Sequence, residues 1–275
     1  MTPVDIPRSY LFVPGNRPDR FAKACASGAH AVIIDLEDAV PASEKPAARD
    51  AVANWLDPSH PVLIRINGAE TAWFQDDVAV CRAPGVAAIL LPKTDRVEHL
   101  RRVEELLGNR VPILPLIETA LGFSNVQEIA RDWAVGRLVF GALDFGLDLG
   151  IPGDRDELLY FRSQLVLVSR LARIQPPVDG INTEIDEPAR IRADTLRARS
   201  LGFGGKLCIH PKQVPHVNAA FLPTEAEIAW ARRTIAAATA SGGGAVATQG
   251  HMVDRPVILR AEQILREAEL KEPRA

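Results

Sequence analysis

The chain has 275 residues, 47% hydrophobic and 24% charged, an ordinary globular composition at a length that buries a large core. A formal net charge of -3 gives no long-range pull toward nucleic acid or an anionic membrane, so an anionic ligand must be held by a few local arginines or lysines. Cys25, Cys81 and Cys208 are far apart and form no Cys-x-x-Cys pair, which argues against a disulfide framework or a zinc cluster and suits a reducing, cytoplasmic compartment. Met1 to Arg8 holds no apolar signal core, and no later run reaches the roughly 18 apolar residues of a membrane span, so a soluble, unexported protein is expected.

In chain order, short β-branched apolar runs predict strands at Tyr10 to Pro14, Ala31 to Asp38, Val62 to Asn67, Ala87 to Lys93, Pro112 to Thr119, Leu138 to Phe145, Gly180 to Glu184 and Lys206 to Pro211. Helical spacing of apolar residues marks Arg17 to Ser27, Glu44 to Trp55, Arg96 to Leu107, Asn125 to Trp133, Arg155 to Ile174 and Pro188 to Leu201. This alternation reads as an α/β fold with a parallel sheet, closed into a (β/α)8 TIM barrel over residues 1–240. A doubly wound open sheet is the alternative. A helix from Glu225 to Ala240 completes the domain, and Ser241-Gly242-Gly243-Gly244 reads as a hinge. Residues 241–275 then form a short C-terminal arm, with a helix from Arg255 to Leu270 and Pro256 in its first turn. A loosely tethered tail is the other reading.

A barrel places its chemistry at the C-terminal ends of its strands. Here those ends carry Glu37 and Asp38, Arg65, Glu118 and Asp144 on mostly apolar strands. Carboxylates without cysteine or paired histidine point to a hard cation such as Mg2+, with Glu118 and Asp144 as ligands from consecutive strands. The competing reading is that they cap the following helices. Glu37 and Asp38 serve one site only if the backbone turns there, as second-sphere groups ordering water around the cation; alternatively one of them caps the helix near Ser43. Arg65 needs an anionic partner, either a substrate carboxylate or a salt bridge to Glu37 or Asp38. His210 is expected to anchor a loop or touch a ligand, while His30, His60, His99 and His216 are expected at the surface.

No P-loop, Gly-x-Gly-x-x-Gly or Gly-x-Ser-x-Gly signature occurs in a suitable context, which disfavours nucleotide hydrolysis, dinucleotide redox chemistry and serine hydrolase chemistry. Several segments instead resemble the citrate lyase beta-subunit-like branch of the HpcH/HpaI aldolase family, which includes malyl-CoA and citramalyl-CoA lyases. They are Arg8 to Asn16, Asp35 to Val40 with Lys45 and Arg49, Arg65 to Asn67, Leu91 to Lys93, Pro115 to Thr119, Gly141 to Phe145, Gly205-Lys206 with Ile209 to Pro211, and Met252 to Pro256. The resemblance implies a magnesium-dependent carbon-carbon lyase acting on a CoA thioester and a 2-keto acid. Magnesium would sit on Glu118 and Asp144, the keto-acid carboxylate on Arg65, and CoA near Phe12, Lys23 and the Ile209-His210 loop. It further implies a homo-oligomer, trimer or hexamer, in which Asp254 on the arm of one subunit is the acid-base group for its neighbour's site. A citrate lyase beta subunit acting on an acyl-carrier-protein thioester and a malyl-CoA-type thioester hydrolase are the alternatives. One departure from the family stands out: where CoA-active members often have several lysines, this chain has Arg17, Pro18, Asp19, Arg20 and Lys23.

Overall fold

The structure, a computed structural model, describes residues 6–108, 111–240, 246–248 and 251–269. Strands β1 (Ser9–Pro14), β2 (Ala31–Asp35), β3 (Val62–Arg65), β4 (Val86–Leu91), β5 (Ile113–Ile117), β6 (Arg137–Phe140), β7 (Gln175–Asp179) and β8 (Gly205–Cys208) run parallel and close into a barrel, β8 pairing with β1. The helices in chain order are α1 (Phe21–Cys25), α2 (Lys45–Trp55), α3 (Phe74–Val80), α4 (Val97–Leu107), α5 (Ala120–Ser124), α6 (Val126–Ile129), α7 (Ala142–Leu149), α8 (Leu159–Ala172), α9 (Pro188–Leu201) and α10 (Val214–Phe221). Alternation along each strand explains closure. Tyr10, Ile33, Leu63, Leu90, Leu114, Leu116, Val139, Val178 and Leu207 form one buried cluster that plugs the barrel. Their neighbours Leu11, Ile34, Ile64, Ile89, Ile117 and Leu138 are equally buried and have the opposite parity, toward the helices.

The expected barrel is therefore observed, with three corrections to its elements. The sixth run does not stay extended to Phe145: β6 stops at Phe140 and the chain turns at Gly141 into α7, so Asp144 lies in a first helical turn and not on a strand. The seventh strand precedes the predicted Gly180 to Glu184. Pro176 and Pro177 are accommodated at an irregularity of the β6–β7 register, where a missing N–H breaks no regular ladder. No helix was expected between the third and fourth strands, where α3 lies.

The described residues divide into two compact units, Ile6–Asn218 and a second that begins at Ala219. In the second unit α11 (Glu225–Ala240) and α12 (Arg255–Glu269) share a core of Ile228, Ala231, Ala261 and Ile264. Antiparallel strands β9 (Val246–Thr248) and β10 (His251–Val253) precede α12. The predicted hinge at residues 241–244 lies outside the described residues. Among the described residues no helix is long and apolar enough to cross a membrane.

Candidate active site

The inward parity that fills the barrel continues into charge at its mouth. Ala31 and Ile33 are followed on the same face by Asp35, Leu63 by Arg65, and Leu114 and Leu116 by Glu118. Asp35 and Arg65 are register partners on β2 and β3. Arg65 Nε donates to Asp35 Oδ1 at 2.7 Å and Nη2 to Oδ2 at 2.6 Å. Its Nη1 lies 2.9 Å from Glu37 Oε2 and 3.7 Å from Asp38, and its guanidinium stacks 4.8 Å from the centre of the Phe12 ring. Burial opposes the charge, but the bonds and charge of Asp35, reinforced by Glu37 and Asp38, hold the Arg65 pKa above its ordinary value. The expected salt bridge thus exists, and its main partner is Asp35. Two of the five guanidinium N–H groups are spent on Asp35, and Nη1 meets Glu37 Oε2 as an ion pair without a hydrogen bond.

The backbone turn that Glu37 and Asp38 require is present. Asp35 ends β2 by accepting the amides of Glu37 at 2.9 Å and Ala39 at 3.2 Å on its own carboxylate. Buried Lys45 clamps the turn, donating Nζ to the carbonyls of Leu36 and Glu37 at 2.8 Å each, and Asn67 Nδ2 reaches Leu36 O at 2.9 Å. Glu37 is buried and Asp38 exposed. Neither caps the helix near Ser43: α2 begins at Lys45 and takes no side-chain cap, which removes that alternative.

Glu118, 2% exposed, follows β5. Its Oε1 accepts the Lys93 amide at 2.8 Å, while Lys93 Nζ reaches Glu37 Oε1 at 2.8 Å, so one residue touches two acids. Glu118 packs against Gly141, where a Cβ would stand 2.6 Å from the Glu118 Cβ, so only glycine fits at the bend into α7. Phe145 anchors that helix, its ring 5.3 Å from Phe140 and 4.7 Å from Phe161, and the preceding Asp144 is left exposed. Burial pushes Glu118 up to about 8, and the charges of Glu37 and, more weakly, Asp144 add to that rise. Glu37 is also raised, by burial, against the pull of Arg65 and Lys93. Among the described residues no three His, Cys, Asp or Glu side chains gather as a metal cage. An all-oxygen pair in which the charge of Asp144 adds to the rise of Glu118 fits magnesium, which uses one or two carboxylates and keeps waters.

The remaining expected residues lie on other elements. Ile209 and His210 follow β8, and His210 Nδ1 accepts the Lys212 amide at 3.2 Å, a loop-anchoring role. Lys23 stands exposed on α1. Buried Gln213, not foreseen, ties two loops together. Its Oε1 accepts the amide of Ile209 at 2.8 Å, and its Nε2 donates to Asn182 O at 2.9 Å and Glu184 O at 2.8 Å. A charged cavity of about 340 Å³ opens beside Leu143, lined by Asp179, Asn182, Arg190, Arg197 and Lys206. Asp179, held under its usual range by Lys206 and Arg162 despite burial, pins β7 to β8 and α8. His99 is buried, not at the surface, and receives the Asp95 amide at 3.4 Å. In the second unit, half-buried Asp254 caps α12, its Oδ1 accepting the Val257 amide at 3.3 Å.

Residues 8–211 match the family described as HpcH/HpaI aldolase/citrate lyase. A citrate lyase subunit beta-like protein of Deinococcus radiodurans is 40% identical over 275 residues, covering 94% of this chain and 96% of its own. A (3S)-malyl-CoA thioesterase of Cereibacter sphaeroides is 35% identical over 270 residues, covering 95% of this chain and 94% of its own. The CitE protein of Mycobacterium tuberculosis, solved with magnesium, acetoacetate and coenzyme A, superposes with a TM-score of 0.87 at 33% identity, over 96% of this chain and 99% of that one.

Proposed function

The chain belongs to the HpcH/HpaI aldolase/citrate lyase family, a family of lyases, and from that premise we propose that it is a magnesium-dependent carbon-carbon lyase. Its substrate would be a 3-hydroxyacyl-CoA of the malyl or citramalyl type, cleaved to an acyl-CoA and a 2-keto acid, or formed from them. The observation that carries this reading is a buried, charge-crowded Glu118 tied through Lys93 to Glu37, which in turn faces Arg65. The related CitE protein was solved in complex with magnesium, acetoacetate and coenzyme A.

Glu118 and Asp144 would hold the magnesium, and Glu37 and Asp38 would order water around it. When bound, magnesium supplies Lewis-acid stabilisation of charge on the keto-acid oxygen. Arg65 would receive the keto-acid carboxylate on guanidinium N–H groups that Asp35 leaves free. Phe12, Lys23, Ile209 and His210 would line the path of CoA. In cleavage a base takes the 3-hydroxyl proton, the bond to the thioester α-carbon breaks, and the acid form of Asp254 protonates that carbon; in condensation Asp254 removes the same proton. Asp254 would act from residues 241–275 as an arm, on a neighbouring subunit of a cytoplasmic homo-oligomer.

The decisive assay is the purified protein with magnesium against a panel of 3-hydroxyacyl-CoA esters, followed by keto-acid detection. Release of CoA with an intact hydroxy diacid and no keto acid would instead identify the thioester hydrolase named among the relatives. Turnover only of acyl-carrier-protein thioesters would identify a citrate lyase subunit. Mixing inactive Asp254→Ala and Glu118→Ala subunits should restore part of the activity; hybrids that form but stay inactive would exclude a shared site.

A further inference from the structure

Two residues other than glycine hold a positive φ among those described: Arg173 at 59° and Lys93 at 47°. Arg173 has an ordinary reason. It closes α8, its amide reaching Arg170 O while the Ile174 amide reaches Ser169 O, the pattern of a helix C-terminus. Lys93 ends no helix; it follows β4 at the barrel mouth. A left-handed conformation costs an L side chain free energy that glycine does not pay, and such residues gather where the geometry is used.

What the conformation achieves is a two-handed grip. The Lys93 amide is 2.8 Å from Glu118 Oε1, and its Nζ is 2.8 Å from Glu37 Oε1. Glu118 follows β5 and Glu37 follows β2, so the grip spans the mouth across β3 and β4. Glycine would supply the backbone half at no steric cost, but it has no ammonium. An ordinary lysine conformation would move the amide off Glu118. With Arg65 on Glu37 Oε2, both oxygens of Glu37 meet cations, whereas Glu118 Oε2 receives no protein donor among the described residues.

We propose that Lys93 is a positioning residue, held left-handed so that its amide fixes Glu118 and its ammonium fixes Glu37, setting the separation and orientation of the two acids. The meaning of those acids rests on the proposed function, in which Glu118 presents its free oxygen to magnesium and Glu37 orders the water beside it. A fixed ammonium next to the pair also competes electrostatically with any divalent cation bound there.

The test compares the full-length parent with Lys93→Gly and Lys93→Arg by thermal melting, magnesium calorimetry and turnover. Glycine keeps the backbone half of the grip. Lys93→Gly is expected to melt within about 3 °C of the parent, because relief at a positive φ offsets the added freedom of the unfolded chain. It should bind magnesium about three- to tenfold more tightly. Turnover should fall at least about tenfold, and Lys93→Arg should recover part of it. A larger fall in melting temperature, unchanged magnesium affinity or parental turnover in Lys93→Gly each overturns the proposal. A parent that cleaves no thioester defeats the proposed function instead, and the melting and calorimetric comparison still decides the role of Lys93.

Discussion

The barrel holds an arginine near each end, and the two are treated in opposite ways. At the mouth Arg65 faces Asp35, Glu37 and Asp38, and its charge is reinforced. Toward the floor Arg137, 2% exposed at the start of β6, meets no carboxylate among the described residues. Its Nη1 donates to Pro7 O at 2.7 Å and Tyr10 Oη at 2.9 Å, its Nε donates to Pro176 O, and burial lowers its pKa. Carbonyls and a phenol suffice to hold a guanidinium in place, so the acids around Arg65 exceed what anchoring requires. The excess negative charge is concentrated where a cation and a polar substrate would bind, and the floor is left to architecture.

The sharpest way to break this contrast is at Glu118. Glu118→Gln keeps the shape and should lower kcat by about a thousandfold or more while melting no lower than the parent, since a buried, raised carboxyl is replaced by a neutral amide. A destabilised but active variant would assign Glu118 to the scaffold. Next is Arg65→Lys, which cannot fill Asp35 and a substrate carboxylate with parallel bonds. The KM for the keto acid in the condensation direction should rise about thirtyfold, roughly 2 kcal/mol. Substrate affinity that stays put would confine Arg65 to its ion pairs.

The floor makes the opposite prediction. Arg137→Met removes the donor from the Pro7 and Pro176 carbonyls and should cost about 2 kcal/mol, read as a lower urea midpoint at constant slope. Turnover per folded molecule should be unchanged, and a large loss of kcat would end the division of labour between the two ends. The remaining effect is one of pH. Glu118 is raised from 4.5 to about 8, so the metal-free unfolded chain gives up this proton first. Its contribution to stability is complete below about 4.5 and is lost as pH rises toward 8. Relative to Glu118→Gln, the metal-free parent should lose stability across that window and not beyond it. A constant difference would show that Glu118 titrates normally.

Much of this contrast is legible in the sequence, and its gaps have physical causes. Period-two alternation marks the barrel interior and carries Arg65 and Glu118 to the mouth with it. The same alternation runs through Ala31, Ile33 and Asp35, and it could have identified Asp35 as the main partner of Arg65. Asp144 reads as a strand residue from the sequence, because nothing local shows that the Glu118 side chain needs the space a Cβ would take at Gly141. The strand at Gln175–Asp179 was hidden by two prolines that only a register irregularity tolerates. Gln213 and the left-handed Lys93 were out of reach for a different reason: their partners lie on other strands, so their roles exist only after the sheet has closed.

That closure has a consequence for how the molecule is made. The seam joins Ser9 to Lys206 and Tyr10 to Leu207, and the Lys206 amide bonds to Arg8 O. A contact between the first strand and the last is among the most non-local a chain of this kind contains, and its loop-closure entropy is borne late. During vectorial synthesis β1 can pair with β2 early, but its other edge has no partner until β8 has emerged. Until then that edge is exposed to other nascent chains. The final commitment to the native topology, and the main opportunity for misassembly, therefore falls at the β1–β8 seam after nearly the whole barrel has been translated.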